Sequence, residues 1–217
     1  MKVPRAPELG CGIYLIADVS RYTGIPYSTV ASWFHSDALL NTDYDRIGDS
    51  LSVSFYDLID ALVAYQFRKL GVKMRIVRRA YELLKTQLNT EHAFCHRDLH
   101  SDGRSIIARS LETFGLLQDA ISRQTLFSYV EQALDKVSYS DMTKLAQRWR
   151  IHDGLIVDPH VAMGAPVIEG TGVTSFVVSN AYYANGEDEE FVARLFEISP
   201  DQVRMAVQFE TQIRSAA

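Results

Sequence analysis

Cysteine is scarce. The 217 residues hold two, Cys11 and Cys95, and neither belongs to a Cys-x-x-Cys pair. That excludes a disulfide framework and a thiolate zinc site, and it fits a reducing compartment. No apolar run approaches the ~20 residues a membrane-spanning helix needs. The opening MKVPRAPELGCGIYLIADVS has one short apolar patch cut by Asp18, not the layout of a signal peptide, so a cytoplasmic protein is expected. A fixed-period repeat and a low-complexity tract are also missing. So are a P-loop and a dinucleotide fingerprint: Gly164, Gly170 and Gly172 of GAPVIEGTG lack the Lys-Ser/Thr pair and the spacing, and read as tight turns between short strands. With 47% hydrophobic and 23% charged residues, the chain has an ordinary globular composition, enough for a core in one large domain or two to three small ones.

Charge is unevenly placed. The net charge is −5; basic and acidic side chains number 4 and 6 in residues 1–54, 7 and 3 in 55–85, 8 and 8 in 86–150, and 3 and 10 in 151–217. A basic island therefore sits inside an acidic chain. Six positive side chains and no negative one run from Arg68 to Arg79. A solvated helix face ordinarily alternates signs, so the cluster points to a counter-surface, either phosphate backbone or an acidic partner, with a plain soluble face as the alternative. The acidic end repels phosphates and suits a basic protein.

Periodicity divides the chain into residues 1–88, 89–150 and 151–217. After a Pro- and Gly-rich arm, Ile16, Val19 and Tyr22 share a helical face; TGIP breaks it, and Val30, Trp33 and Phe34 line a second short helix. That pair has the helix-turn-helix layout. Residues 41–53 are turn-rich, a small hairpin or wing. Ser54 and Asp57 open a capping box before a helix with Phe55, Leu58, Ile59, Leu62 and Val63 on one face, and Gly71 separates it from the basic helix KMRIVRRAYELLKTQL. In the middle region, EHAFCHRDLH reads as a strand leading to a hairpin at Asp102-Gly103, QTLFSYVEQALDKVSYS as a strand then a helix, and DMTKLAQRWR as a short helix. Beyond Ile151 the Gly- and Pro-rich run HDGLIVDPHVAMGAPVIEGTGVTSFVV alternates like short strands, and DEEFVARLFEI and SPDQVRMAVQFE are helices, the second opened by Ser199-Pro200. The expected class is α+β, mainly α with a small β component: a helix-turn-helix with a helix pair, a middle β-hairpin and helix region, and a small three-helix C-terminal domain with short strands.

No constellation supports an enzyme. His92, His96 and His100 recur every four residues beside Cys95. On a strand they spread along one face and do not converge on an ion, so a polar strand face is expected, with no metal and no cofactor. Asp98 with Asp102, and Glu189 with Glu190, are not arranged around a base, nucleophile or metal; a turn and a helix start explain them.

The stretch Tyr14 to Phe34, YLIADVSRYTGIPYSTVASWF, followed by SFYDLIDALVAYQFRKLGVKMRIVRRAYELL, resembles the MerR-like helix-turn-helix family. GAPVIEGTGV, followed by NGEDEEFVARLFEISPDQVRMAVQFE, resembles a small antitoxin domain, the domain of unknown function numbered four-three-three. Ala31 and Ser32 stand where the first family commonly has basic residues, and Gly172 where many members of the second have Arg. Together the two modules resemble the antitoxin of a VapBC-type pair. The resemblance implies a chain that neutralises a cognate PIN-like ribonuclease toxin and binds operator DNA to regulate its own operon, as a homodimer and without a membrane. The toxin-binding residues expected are Glu189, Glu190, Phe191, Arg194 and Phe209, with Leu195 and Phe196 beside them. GIPYSTVASWFHSD holds no Lys or Arg, but hydroxyls and backbone N–H groups also hold phosphates. Tyr27, Ser28, Thr29, Ser32 and His35 are the DNA-binding candidates there, with Arg75, Arg78 and Arg79 supplying charge and Lys2 and Arg5 reaching a minor groove. The alternative is a stand-alone DNA-binding regulator.

Overall fold

A computed structural model describes residues 10–34, 40, 42–44, 51–99, 131–132 and 134–215. Its contacts group the chain into two units that interleave along the sequence: unit 1 is residues 1–27, 44–55 and 148–217, and unit 2 is residues 28–43 and 56–147. Among the described residues no helix is long and apolar enough to cross a membrane.

In unit 1, β1 (Tyr14–Leu15) pairs antiparallel with β2 (Ser52–Val53), Tyr14 opposite Val53. α1 (Ile16–Thr23) starts where the Asp18 carboxylate accepts the Leu15 N–H at 2.9 Å and ends at left-handed Gly24. Along the chain follow β3 (Val137–Tyr139), which belongs to unit 2, β4 (Ala146–His152), in unit 1 from Arg148 onward, and β5 (Leu155–Val157) and β6 (Val167–Ile168), both in unit 1. β4 pairs antiparallel with β5, and β5 with β6. Three helices follow, each started by a side-chain cap. Thr174 accepts the Val177 N–H before α5 (Ser175–Ala184), and Asp188 accepts the Phe191 N–H before α6 (Glu189–Phe196). Ser199 and Gln202 form a reciprocal capping box at α7 (Pro200–Ser215). Leu155, Ile168, Val178, Val192, Ala193, Val203, Ala206, Phe209 and Ile213 make the core, and Tyr22 of α1 packs against it. Glu210 is also buried there, accepting the Ser175 hydroxyl at 2.5 Å.

One contact in unit 1 spans most of the chain. Tyr14, 2% exposed, has its ring against Gly12 and Gly164: a Cβ on Gly164 would stand 2.1 Å from the Tyr14 hydroxyl oxygen. Gly164 also sits at φ +87°, closing a turn in which Ala162 and Met163 are left-handed too. Only glycine meets both demands.

Unit 2 holds α3 (Phe55–Lys69) from Tyr56 onward, α4 (Met74–Leu88), and short 3-10 turns at Ala93–Cys95 and Arg97–Leu99. Most of α2 (Tyr27–Trp33) belongs here too, with Trp33 against the Tyr65 ring. Residues 58–64 of α3 are buried on every face, so this helix is the unit's centre. α4 buries Ile76, Val77, Ala80, Tyr81 and Leu84 and turns its arginines outward. Phe94 stacks between Phe67 and Tyr81, with ring centroids 5.6 and 4.9 Å away.

Helices α1 to α4, α6 and α7 lie where periodicity puts them, and the mixed class is α+β. Three local expectations are corrected. The segment 93–99 is not a strand: Cys95 N–H bonds to His92 O and Leu99 N–H to His96 O, and the consecutive residues Ala93, Phe94 and Cys95 are all buried, which the alternating faces of a half-exposed strand do not allow. Residues 141–150 are not a helix: Lys144 is left-handed, Ser140 N–H bonds to Leu145 O, and the chain turns back into β4. The end of the strand-like run is α5, because Thr174 caps it. Lys2, Arg5, His35, His100, the Asp102-Gly103 hairpin and QTLFSYV lie outside the described residues.

Candidate partner surfaces and a buried carboxylate–histidine cluster

The residues expected at interfaces fall on two parts of the surface. On α2, Tyr27, Ser28 and Ser32 are exposed and Thr29 is half-buried; the Ser32 hydroxyl donates to Thr29 O at 2.8 Å. On α4, Arg75, Arg78 and Arg79 are exposed, at positions i, i+3 and i+4 of one helix, with Lys73 just before it. Spacing of three and four puts all three guanidiniums on one side of the cylinder. Tyr27 belongs to unit 1, whereas Ser28, Thr29, Ser32 and the α4 arginines belong to unit 2.

The acidic surface lies in unit 1. Phe191 (41% exposed) and Leu195 (54%) stand four apart on α6, beside exposed Glu190, Arg194 and Glu197. Glu189 is held within the unit, its carboxylate paired with Arg204, which also binds Asp201. Phe209 is 4% exposed and belongs to the core. Of the expected toxin-binding residues, then, α6 presents Glu190, Phe191 and Arg194 together, adds Leu195, and leaves Phe209 inside. Phe196 is half-buried against the core.

A third group was not legible as a site. In unit 2, His92 lies in a knot of carboxylates. Its Nδ1 is 3.0 Å from Asp60 Oδ2 and its Nε2 3.1 Å from Asp43 Oδ1, and Asp57 Oδ1 is 3.9 Å from Nδ1. Asp60 also accepts the Tyr81 hydroxyl at 2.6 Å and the Phe94 N–H at 3.0 Å, and the Asp43 N–H donates to Asp57 at 3.1 Å. Asp57 and Asp60 are each 1% exposed and His92 9%. Burial alone lowers the imidazole pKa, but the hydrogen bonds and charges of Asp43 and Asp60 outweigh it and lift the value to about 10, so both ring nitrogens are protonated at neutral pH. Asp60 and Asp57, behind burial itself, push the Tyr81 hydroxyl and the Cys95 thiol upward. The Cys95 thiol donates to Tyr56 O at 3.0 Å and stays protonated. The signal in the sequence was Asp57 and Asp60 on an otherwise apolar helix: two acids at core spacing imply a buried partner. His96 goes elsewhere, its Nδ1 accepting the Asp98 N–H at 3.2 Å.

Comparison with known proteins bears on the whole of this arrangement. No family model matches the chain. A Mycobacterium tuberculosis protein named "Putative antitoxin VapB45" is 25% identical over 223 residues, covering 90% of this chain and 92% of that protein. The crystal structure of Rv2018 from Mycobacterium tuberculosis superposes with a TM-score of 0.76 at 26% identity, covering 94% of this chain and 100% of that one. In both comparisons the similarity extends over 90% or more of each chain and is not confined to one segment.

Proposed function

We propose that this chain is an antitoxin. It binds and neutralises a cognate PIN-like ribonuclease toxin, binds operator DNA as a homodimer, and has no catalytic activity of its own. The observation that carries the reading is the similarity, over 90% of this chain, to a protein named as a putative antitoxin. Two surfaces support its two halves. The exposed Phe191–Leu195 pair, rimmed by Glu190 and Glu197 in a segment with 10 acidic and 3 basic residues, suits a basic, RNA-holding protein face. The α4 arginines suit phosphate, with the α2 hydroxyls adding uncharged donors.

The test is co-expression with the product of the neighbouring reading frame, followed by the mass of the purified material from light scattering and a ribonuclease assay. A stable mixed complex in which nuclease activity is suppressed is the expected result. A lone homodimer beside an active nuclease overturns it. The exposed Arg75, Arg78 and Arg79 favour one second reading, a stand-alone DNA-binding regulator. A homodimer that ignores the nuclease yet binds the operon's upstream DNA with a steep salt dependence selects it.

A further inference from the structure

Ligand-type atoms from three separated stretches converge in unit 2: Asp43, Asp57 in the first turn of α3, and His92 just before the 3-10 turn. One ligand atom from each lies within 4.8 Å of the others. The closest pair, His92 Nε2 and Asp43 Oδ1, is 3.1 Å apart. Oxygen and nitrogen ligands on one tetrahedral ion at ~2.1 Å stand about 3.4 Å from each other, so small side-chain rotations complete such a set.

A second observation does not depend on the number of acids. The imidazole is oriented from behind. Asp60 takes the Nδ1 side of the ring at 3.0 Å and is itself fixed by the Tyr81 hydroxyl and the Phe94 N–H. A metal-ligating histidine is ordinarily held this way, its far N–H on a carboxylate and its other nitrogen toward the ion; here the ion takes the place of the Nε2 proton that Asp43 otherwise accepts, so binding releases a proton. The Tyr56 ring covers the imidazole, with centroids 5.1 Å apart, and Asp43, whose side chain is 22% exposed, leaves one side open for entry.

We propose that Asp43, Asp57 and His92 bind a divalent transition-metal ion, with Asp60 as the positioning carboxylate behind the imidazole. One nitrogen and two oxygen donors suit Zn²⁺ or Mn²⁺, not Ca²⁺ or Mg²⁺, which take oxygen alone. Cys95 is not a ligand, since its thiol is committed to Tyr56 O. The ion joins residue 43, α3 and the turn after α4, and so stabilises unit 2.

The test uses the full chain, stripped with chelator and titrated with ZnCl₂ or MnCl₂ by calorimetry, with thermal melts in parallel. The expected result is one saturable ion per chain and a raised Tm. Asp43→Asn and His92→Gln weaken binding more than tenfold, and Asp60→Asn weakens it roughly tenfold, each with an unchanged circular dichroism spectrum. If His92→Gln fails to fold, Asp43→Asn at the open side decides. Absence of one-to-one binding of either ion overturns the proposal. So does full affinity retained in Asp43→Asn, because the ion is then held by other side chains.

Discussion

At the scale of single residues, the tightest constraint is the seat of Tyr14. Gly164→Ala places a methyl group inside the Tyr14 hydroxyl and asks alanine for φ +87°; urea unfolding is expected to show a loss of about 2–4 kcal/mol. Adding Tyr14→Phe returns only part of it, because ring carbon Cζ is itself 2.8 Å from the added methyl. Full recovery in the double variant would mean that the hydroxyl alone is crowded. His92 gives a second prediction. Its pKa rises from 6.5 unfolded to about 10 folded, so the folded state binds more protons between those values. In chelator-treated protein the stabilisation is complete below about pH 6.5 and falls as pH rises toward 10, on the order of 1 kcal/mol per pH unit. His92→Gln removes that slope, and an unchanged slope in the variant shows that other groups set it. Neither feature was legible in the sequence at full depth. Gly164 reads as a turn glycine, and only the fold puts Tyr14 over it. His92 reads as one of three evenly spaced histidines, and only α3 brings Asp57 and Asp60 to it.

At the scale of elements, helices were more legible than strands, for a physical reason. An amphipathic helix such as α4 states its period within its own residues. β4 buries only Ala146 and Trp149 fully in seven residues, a spacing that a helix face shares; its identity depends on the turn at Lys144 and on pairing with β5. The 3-10 turns around His96 escaped for the converse reason, since two three-residue turns carry no period at all. α6 shows which part of an interface a sequence can state. Its acids and Phe191 are visible in one line of text, but the inward direction of Phe209 and the outward direction of Leu195 follow from how α6 and α7 pack. Charging the outward pair, Phe191→Asp with Leu195→Asp, is expected to weaken a toxin complex at least tenfold while leaving Tm within a few degrees, because both side chains already face water. A pull-down with both variants and a melt of the free chain measure the two effects; a collapse in Tm would assign the pair to the core.

At the scale of the whole molecule, the chain passes repeatedly between its two units: residues 1–27 and 44–55 belong with residues 148–217, and the rest with each other. A fragment of residues 148–217 keeps the nine-residue core but loses Tyr22, which packs on it, and Tyr14, which fills the space beside Gly164. It is expected to melt ~10 °C or more below the full chain, and calorimetry of both would show it. A fragment as stable as the parent would mean that the early segments merely decorate the unit.

The seating of Tyr14 against Gly164 also sets an order in time. A ribosome that has made residue 14 reaches residue 164 on the order of ten seconds later, at roughly 5–20 residues per second. Through that interval the aromatic ring has no seat, and β1 has only β2 for company. Unit 1 therefore stays unfinished until translation has passed residue 164.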